Sequence, residues 1–542
     1  MNALFFGDCL HVLRVLAAEH PQGLADLIYL DPPFNSKRDY SILFKSPKGH
    51  ESHAQIQAFE DTWHWGEQAE REYDELFHQP NTNVADMMHA LRLFLGENDM
   101  MAYLVMMANR LLVMHDVLKD TGSLYLHCDP TASHYLKIVL DGVFGAENFT
   151  GEIIWRRTAA HVSSKRWPRL HDVILAYGKD VERVVFNSPK VAADQGWLDR
   201  EYRHEDERGR YSLDNLTGAG TTNGPSGQPW KGVDPKSIGS GRHWRYVPET
   251  LDKLDGEGRI YWPKKGQYPK LKQYLEESGG KAVGDLWVDV GLIGRTSSER
   301  LGYPTQKPLA LLERIIQASS NPGGIVLDPF CGCGTAVHAA QKNGRQWIGI
   351  DITHLAISLI EKRLKDAFPG LKYEVHGTPK DIGGAAKLSE IDKYQFQWWA
   401  CSLVGAQPFQ GKKKGADSGI DGLIYFQDEK IEKKKIIVSV KGGDNVNVGM
   451  VRDLKGVIER EKAQIGLFVT LAPPSKPMTV EAVSAGYYES PHHGKYPKIQ
   501  ILTIEALLSG RERPLYPDMS GGMTFKKAQR EAGEAEQEAL FE

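Results

Sequence analysis

The chain has 542 residues, 41% hydrophobic and 25% charged, with a formal net charge of −4 at pH 7. That length implies two to four domains with ample material for cores, and the acidic balance confines any nucleic-acid surface to a local patch. No run of eighteen apolar residues and no basic-then-apolar leader appears, so no membrane span and a cytoplasmic, reduced setting are expected.

Taken in chain order, Asn2–Phe6 is predicted as a short apolar strand that runs into Gly7-Asp8, and residues 9–18 have helical spacing. Ala25–Leu30 is predicted as a buried strand that delivers Asp31 at its carboxyl end. Residues 40–100 read as an aromatic, charged insertion with helical segments. An apolar helix is predicted over 101–119, and Met87, Met88, Met100, Met101, Met106, Met107 and Met114 cluster around it as core filler. Strands are expected over 123–127, 152–155 and 173–177. From about 180 to 300 glycines, prolines and isolated tryptophans alternate with charges, the pattern of an inserted loop-rich or small β domain. Helix Leu309–Ser319, a strand over 324–327, a helix over 336–343 and a strand over 347–350 then alternate. That alternation predicts an α/β fold with a doubly wound, mostly parallel sheet, whose ligands sit beyond the strands' carboxyl ends. A smaller α/β unit begins after 380, with a helix over 394–404 and strands over 435–440 and 466–470. The tail, 526–542, is charged and reads as a frayed helix or disorder.

Two motifs carry chemistry. Asp31-Pro32-Pro33-Phe34 places an acid on a proline-stiffened turn that ends in an aromatic. The Asp31 carboxylate, the Pro32 carbonyl and the Phe34 ring can together hold a flat, amino-bearing ring, aiming its nitrogen lone pair by orientation and electrostatics. Asp328-Pro329-Phe330-Cys331-Gly332-Cys333-Gly334 runs a strand into a glycine turn and a helix, which lets a nucleotide-like molecule approach the backbone. The third glycine of a dinucleotide fingerprint would fall at Val337, so this loop is not that fingerprint. Asp351 closes the next strand, where an acid can bind two ribose hydroxyls. The pair of motifs suits methyl transfer from S-adenosylmethionine to a base amine. Asp328 and Asp8 have the sign that a sulfonium cation requires, and the base would be flipped out of its duplex. The five cysteines (Cys9, Cys128, Cys331, Cys333, Cys401) show neither zinc-pair nor disulfide spacing, and no metal site is expected for this reaction.

The order Gly7-Asp8, Asp31 to Phe34, an inserted region, Thr305-Gln306-Lys307-Pro308, Phe330 to Gly334 and Asp351 resembles the beta-class, circularly permuted amino-methyltransferases that modify adenine in DNA, including modification subunits of restriction systems. The resemblance covers roughly residues 1–370. It implies a Rossmann-like methyltransferase that transfers a methyl group to the exocyclic N6 amine of adenine in double-stranded DNA. It makes Asp31, Pro32, Pro33 and Phe34 catalytic, and it places Asp8, Thr305, Lys307, Asp328, Phe330, Gly332, Gly334 and Asp351 around the donor. Aspartate at the head of the motif favours adenine, with N4-cytosine as the alternative. On this reading the catalytic half spans 1–180, the target-recognition region 181–300 and the cofactor half 301–375. Arg203, Arg208, Arg210, Lys231, Arg242, Arg245 and Lys264 are the candidates for phosphate and base contacts. Asp61 and Trp63 resemble a segment of close relatives, with no mechanism attached. A homodimer or a separate restriction subunit stands open as partner.

The unit over 380–512, before a tail at 513–542, resembles the core of Mrr-type restriction endonucleases through Gly419-Ile420-Asp421-Gly422 and Ser439-Val440-Lys441. That resemblance implies Asp421 and Lys441 as nuclease-like residues, with Mg²⁺ as the cofactor if the unit cleaves DNA. Ser439 stands where the pattern has an acid or Gln and removes a metal ligand, for which Glu390 or Asp392 are the candidate substitutes. The alternatives are an active nuclease, which would make a single-chain restriction-and-modification enzyme, and a DNA-binding, degenerate nuclease fold. Lys412 to Lys414 and Lys433 to Lys435 are the candidate phosphate contacts there.

Overall fold

The computed structural model describes residues 1–32, 65–79, 81–158, 167–192, 195–263, 268–294, 297–301, 303, 305–409, 419–428, 433–491, 493–517 and 529–531, with the backbone alone of strands Tyr40–Lys45 and Glu51–Phe59. Its contacts fall into two compact units, Met1–Asn187 with Asp285–Glu542, and Ser188–Gly284.

The first unit is organised by a nine-stranded sheet. Its order is Leu286–Trp287, Phe149–Arg156, His171–Gly178, Leu118–Cys128, Ala25–Leu30, Ile325–Asp328, Gln346–Asp351, Asn2–Phe6 and Glu374–His376. All neighbours are parallel except His171–Gly178, which runs against both strands beside it. The helical crossovers that parallel strands need are present around the others. Ala25–Leu30 and Ile325–Asp328 are adjacent, although some 300 residues separate them in sequence, with Leu27 beside Val326 and Ile28 beside Leu327. The strand of this sheet that follows each member of the pair in sequence lies on opposite sides, Leu118–Cys128 beside Ala25–Leu30 and Gln346–Asp351 beside Ile325–Asp328, and both strands of the pair point their carboxyl ends at one edge. Such a reversal opens a crevice between strand ends.

Helix Asp99–Val117 explains the methionine cluster. Met101, Met106, Met107 and Met114 are buried in it, packed with Leu104, Leu111 and Met88 in one core beneath the sheet. Residues 40–100 hold the expected helical segments, preceded by a hairpin that was not expected. Tyr40–Lys45 and Glu51–Phe59 form an antiparallel hairpin before helices Glu67–Leu76 and Thr82–Leu95. Asp61 and Trp63 lie outside the described residues.

A second sheet in the same unit has the order Gln407–Pro408, Gly422–Gln427, Lys433–Lys441, Ile465–Thr470, Ile499–Thr503. Helix Lys393–Leu403 covers one face, through Phe396 and Trp399, and helix Val448–Arg460 the other, through Val451 and Leu454. Of the tail, the described residues 529–531 have no regular secondary structure, and Glu531 is anchored. Its amide donates to the Ala367 carbonyl at 3.1 Å and its carboxylate pairs with His338 at 2.9 Å.

The unit Ser188–Gly284 holds an antiparallel sheet in the order Ile260–Tyr261, Lys270–Tyr274, Gly209–Asn215, His204–Asp206. A small core of Leu216, Trp230, Trp244, Leu251, Ile260 and Leu271 supports it. Most of its candidate DNA-contacting cations are occupied internally. Arg210 holds the Tyr202 carbonyl and Asp199, Arg242 holds Thr217, Arg245 pairs with Asp214 and Lys231 with Asp255. Lys264 lies outside the described residues.

Candidate active site

The crevice between strand ends is a cavity. Gly7, Asp8, Tyr29, Asp31, Arg110, Tyr303, Thr305, Lys307, Asp328, Phe330, Gly332 and Asp351 are among its lining residues. Each acid arrives at the carboxyl end of a parallel strand or just beyond it, because every strand that carries one points the same way. Asp328 ends Ile325–Asp328, Asp351 ends Gln346–Asp351, Asp31 follows Ala25–Leu30, and Asp8 follows Asn2–Phe6. Pro32 is buried and is not among the lining residues; Pro33 and Phe34 lie outside the described residues.

The acids differ in their engagements. Asp31 pairs with the Lys307 ammonium, and both side chains are nearly buried. Asp328 accepts one bond from the Phe330 amide at 3.1 Å, and burial holds its carboxyl well above the ordinary range, with Asp31 and Asp351 pushing the same way. Asp351 is pushed up to about 6 by burial. It accepts from the Thr353 amide (2.9 Å) and hydroxyl (2.8 Å) and from the Gly332 amide (2.9 Å), so it braces the glycine turn. Asp8 caps helix Cys9–Glu19 by accepting from the Leu10 amide at 2.8 Å, and it meets the Arg110 guanidinium at 2.9 Å. Three buried or half-buried carboxylates thus share a cavity with few compensating cations. A cationic ligand carrying hydroxyl donors fits that donor set.

Gly332 and Gly334 have different tasks. At Gly332 (φ +49°) a Cβ would stand 3.3 Å from the Tyr303 ring, so its bare backbone widens the cavity wall. Gly334 (φ +71°) is not among the lining residues. A Cβ there would come 2.7 Å from Ile360, so it serves the contact of helix Thr335–Lys342 with helix His354–Ala367 rather than a ligand. Behind the turn, the buried Arg363 donates to the Cys333 carbonyl at 3.1 Å and to Thr335 at 3.2 Å.

Sequence reasoning missed Tyr29, Arg110 and Tyr303. Arg110 is 5% exposed and also meets Glu72 at 3.3 Å. The available signal was a lone arginine within an otherwise apolar helix. Tyr29 stands two residues before Asp31 and therefore on the same sheet face. Tyr303, buried against the glycine turn, had no such signal.

In the C-terminal sheet, Asp421 precedes strand Gly422–Gln427, and its carboxylate accepts from the Val440 amide at 2.6 Å. Extending the ladder from the Gly422–Val438 pair sets it opposite Ser439, two residues before Lys441. Asp392 caps helix Lys393–Leu403 by accepting from Tyr394 and Gln395, and Glu390 is exposed. Among the described residues no group of three His, Cys, Asp or Glu side chains is placed to hold a metal. Lys434 pairs with the buried Asp428 at 2.9 Å and Lys435 with Glu461 at 3.4 Å, while Lys412 to Lys414 lie outside the described residues.

Residues 25–362 match the model of the DNA methylase family, and the chain belongs to that family. Residues 388–487 match the model of a restriction endonuclease family. The type II methyltransferase M.EcaI of Enterobacter cloacae is 38% identical over 263 residues, covering 48% of this chain and 57% of that protein. The StyLTI Mod subunit, from a type III restriction-modification enzyme of Salmonella typhimurium, is 26% identical over 351 residues, covering 63% of this chain and 50% of that protein. The DNA adenine methyltransferase YhdJ of Escherichia coli is 40% identical over 116 residues, covering 21% of this chain and 39% of that protein. The chain thus spans about half the length of the first two of these curated relatives. Among solved structures, the M1.HpyAVI–SAM complex aligns with a TM-score of 0.32 at 16% identity, over 67% of this chain and 99% of that one. No described helix is long and apolar enough to cross a membrane.

Proposed function

We propose that this chain transfers a methyl group from S-adenosylmethionine to the exocyclic 6-amino group of adenine in DNA, as the modification enzyme of a restriction system. The observation that carries this reading is the shared cavity. The acid that heads the Asp31-Pro32 motif and the acids of the glycine-turn half open into one space from adjacent strand ends. When bound, the donor supplies an electrophilic methyl on a cationic sulfur. Asp351 and Asp328 would accept from its hydroxyl and ammonium groups, Gly332 gives it backbone access, and Phe330 lines the same wall. Asp31 would accept an N–H of the target amine, orienting the nitrogen lone pair and stabilising the positive charge that develops there. Lys307 pairs with the Asp31 carboxylate and holds it in place before the base enters. The relatives named as type II, type III and adenine methyltransferases support DNA and adenine as substrate; the N4-cytosine reading is the competitor. The domain limits of 1–180, 181–300, 301–375 and 380–512 belong to this proposal, with the inserted stretch as the reader of sequence.

The decisive experiment incubates the purified chain with unmethylated DNA and labelled S-adenosylmethionine, then locates the modified base by sequencing. Label on adenine at one recurring site supports the reading; label on cytosine transfers it to the competitor, and no label removes it.

For the C-terminal unit we favour DNA binding without cleavage. Ser439 stands opposite Asp421 where a metal ligand is needed, and the Asp421 carboxylate already takes a backbone amide. Supercoiled plasmid that stays intact with Mg²⁺ supports this, whereas magnesium-dependent linearisation restores the bifunctional alternative.

A further inference from the structure

One face of the sheet carries a line of polar side chains across three strands, running away from the cavity. The Tyr29 hydroxyl lies 3.0 Å from His127 Nδ1, and His127 Nε2 lies 3.4 Å from Asp172 Oδ2. The same Asp172 oxygen meets the Arg157 guanidinium at 3.3 Å. His127 and Asp172 are 0% and 1% exposed, and the Trp155 ring stands edge-on against the imidazole at 5.6 Å. Tyr29 is at once the first member of the line and a lining residue of the cavity.

Hydrogen-bond chemistry sets the direction of this line. Arg157 only donates, so the Asp172 oxygen is an acceptor, and although burial opposes it, His127, Arg157 and Lys307 hold this carboxyl below its ordinary range. It therefore accepts a hydrogen bond from the His127 Nε2–H. A buried neutral imidazole carries one proton, which leaves Nδ1 as an acceptor. Burial, and then the nearby Lys307, hold His127 in that neutral form. The Tyr29 O–H is the donor that reaches Nδ1. With its O–H directed at Nδ1, the Tyr29 oxygen has only lone pairs to offer a second partner.

We propose that Tyr29 is a further hydrogen-bond acceptor of the reaction centre, beside Asp31, and that His127 and Asp172 are positioning residues which fix its polarity. The ligand it suits is an N–H donor, the amine that becomes cationic as the N–CH₃ bond forms and the S–CH₃ bond breaks, before its surplus proton leaves to solvent. This rests on the methyl-transfer reading above. Neither the strand pattern nor the motif order signals it, since Asp172 and Tyr29 are 143 positions apart and on different strands.

The test is a double-mutant cycle on the full chain, reading single-turnover methyl transfer, donor affinity and Tm. Tyr29→Phe should lower the transfer rate about tenfold with donor affinity unchanged. His127→Phe should lower it at least as much, because the freed hydroxyl proton can then turn into the cavity. The pair together should be no slower than Tyr29→Phe alone, since both act through one oxygen. His127→Asn, whose carboxamide oxygen can accept the Tyr29 proton, should stay within about threefold of wild type. Full wild-type rate in Tyr29→Phe overturns the inference, and it does so even if the His127 variants fail to fold. Additive losses in the pair overturn it too, because they assign His127 to packing. Wild-type protein that transfers no methyl to any DNA instead defeats the functional reading itself, so the two failures are distinct.

Discussion

Two acids introduced by short motifs, Asp31 and Asp421, meet opposite fates. Asp31 opens into a cavity lined by three further acids, Asp8, Asp328 and Asp351, and its partner is a lysine side chain. Asp421 gives its carboxylate to a backbone amide of its own sheet and faces a serine rather than a second acid. Both belong to recognisable patterns, yet Asp31 lines a cavity that a ligand can enter, whereas Asp421 bonds to a backbone amide of its own sheet. A motif names candidate residues; the engagements of the neighbouring atoms decide whether they form a site.

The largest effect that would break this contrast is at Asp31. Asp31→Ala should cut methyl transfer by about a thousandfold or more, with donor affinity within about threefold of wild type by calorimetry. A variant that methylates near the wild-type rate would return Asp31 to the same standing as Asp421. Next comes Arg110→Ala, which strands Glu72 and loosens Asp8 at the cavity wall; a loss of about 3 kcal/mol in stability is expected, with weaker donor binding, checked by denaturant unfolding. Smaller again is the pH response of Asp351. With its carboxyl raised to about 6, Asp351 is the stronger acceptor only when ionised, so donor affinity should fall by up to about tenfold per unit as pH drops below 6. The stability of the free protein runs the other way. The folded state holds that proton more tightly than the unfolded chain does, so this group's stabilising share is complete below about pH 4 and is lost as pH rises through 6. Donor titrations at pH 5, 6 and 7 test the sign. Last, Asp421→Ala and Lys441→Ala should leave methylation unchanged and plasmid uncut, as in wild type; cleavage by wild type that either variant abolishes would erase the contrast.

Much of this was legible beforehand because strand periodicity and glycine turns are local properties. The strands ending at Asp31, Asp328 and Asp351 needed only short apolar runs with an acid after each. What stayed hidden depends on neighbours remote in sequence. The reversed direction of His171–Gly178, the hairpin before residue 60 and the anchoring of Glu531 on His338 leave no periodic trace. The candidate cations of the inserted unit looked available for phosphate because composition cannot reveal that Arg245 faces Asp214 or Arg210 faces Asp199.

The chain's own residues determined which atoms could do chemistry, since an acid after a buried strand and a glycine where a side chain would strike its neighbour are dictated by local backbone physics. Tertiary structure alone decided which of those atoms share a space. It set Ala25–Leu30 beside Ile325–Asp328, placed Gly334 behind the wall rather than in it, and joined Tyr29 to His127 and Asp172. The reason is that hydrogen bonds and ion pairs are satisfied through space, between groups whose separation along the chain carries no information about their distance.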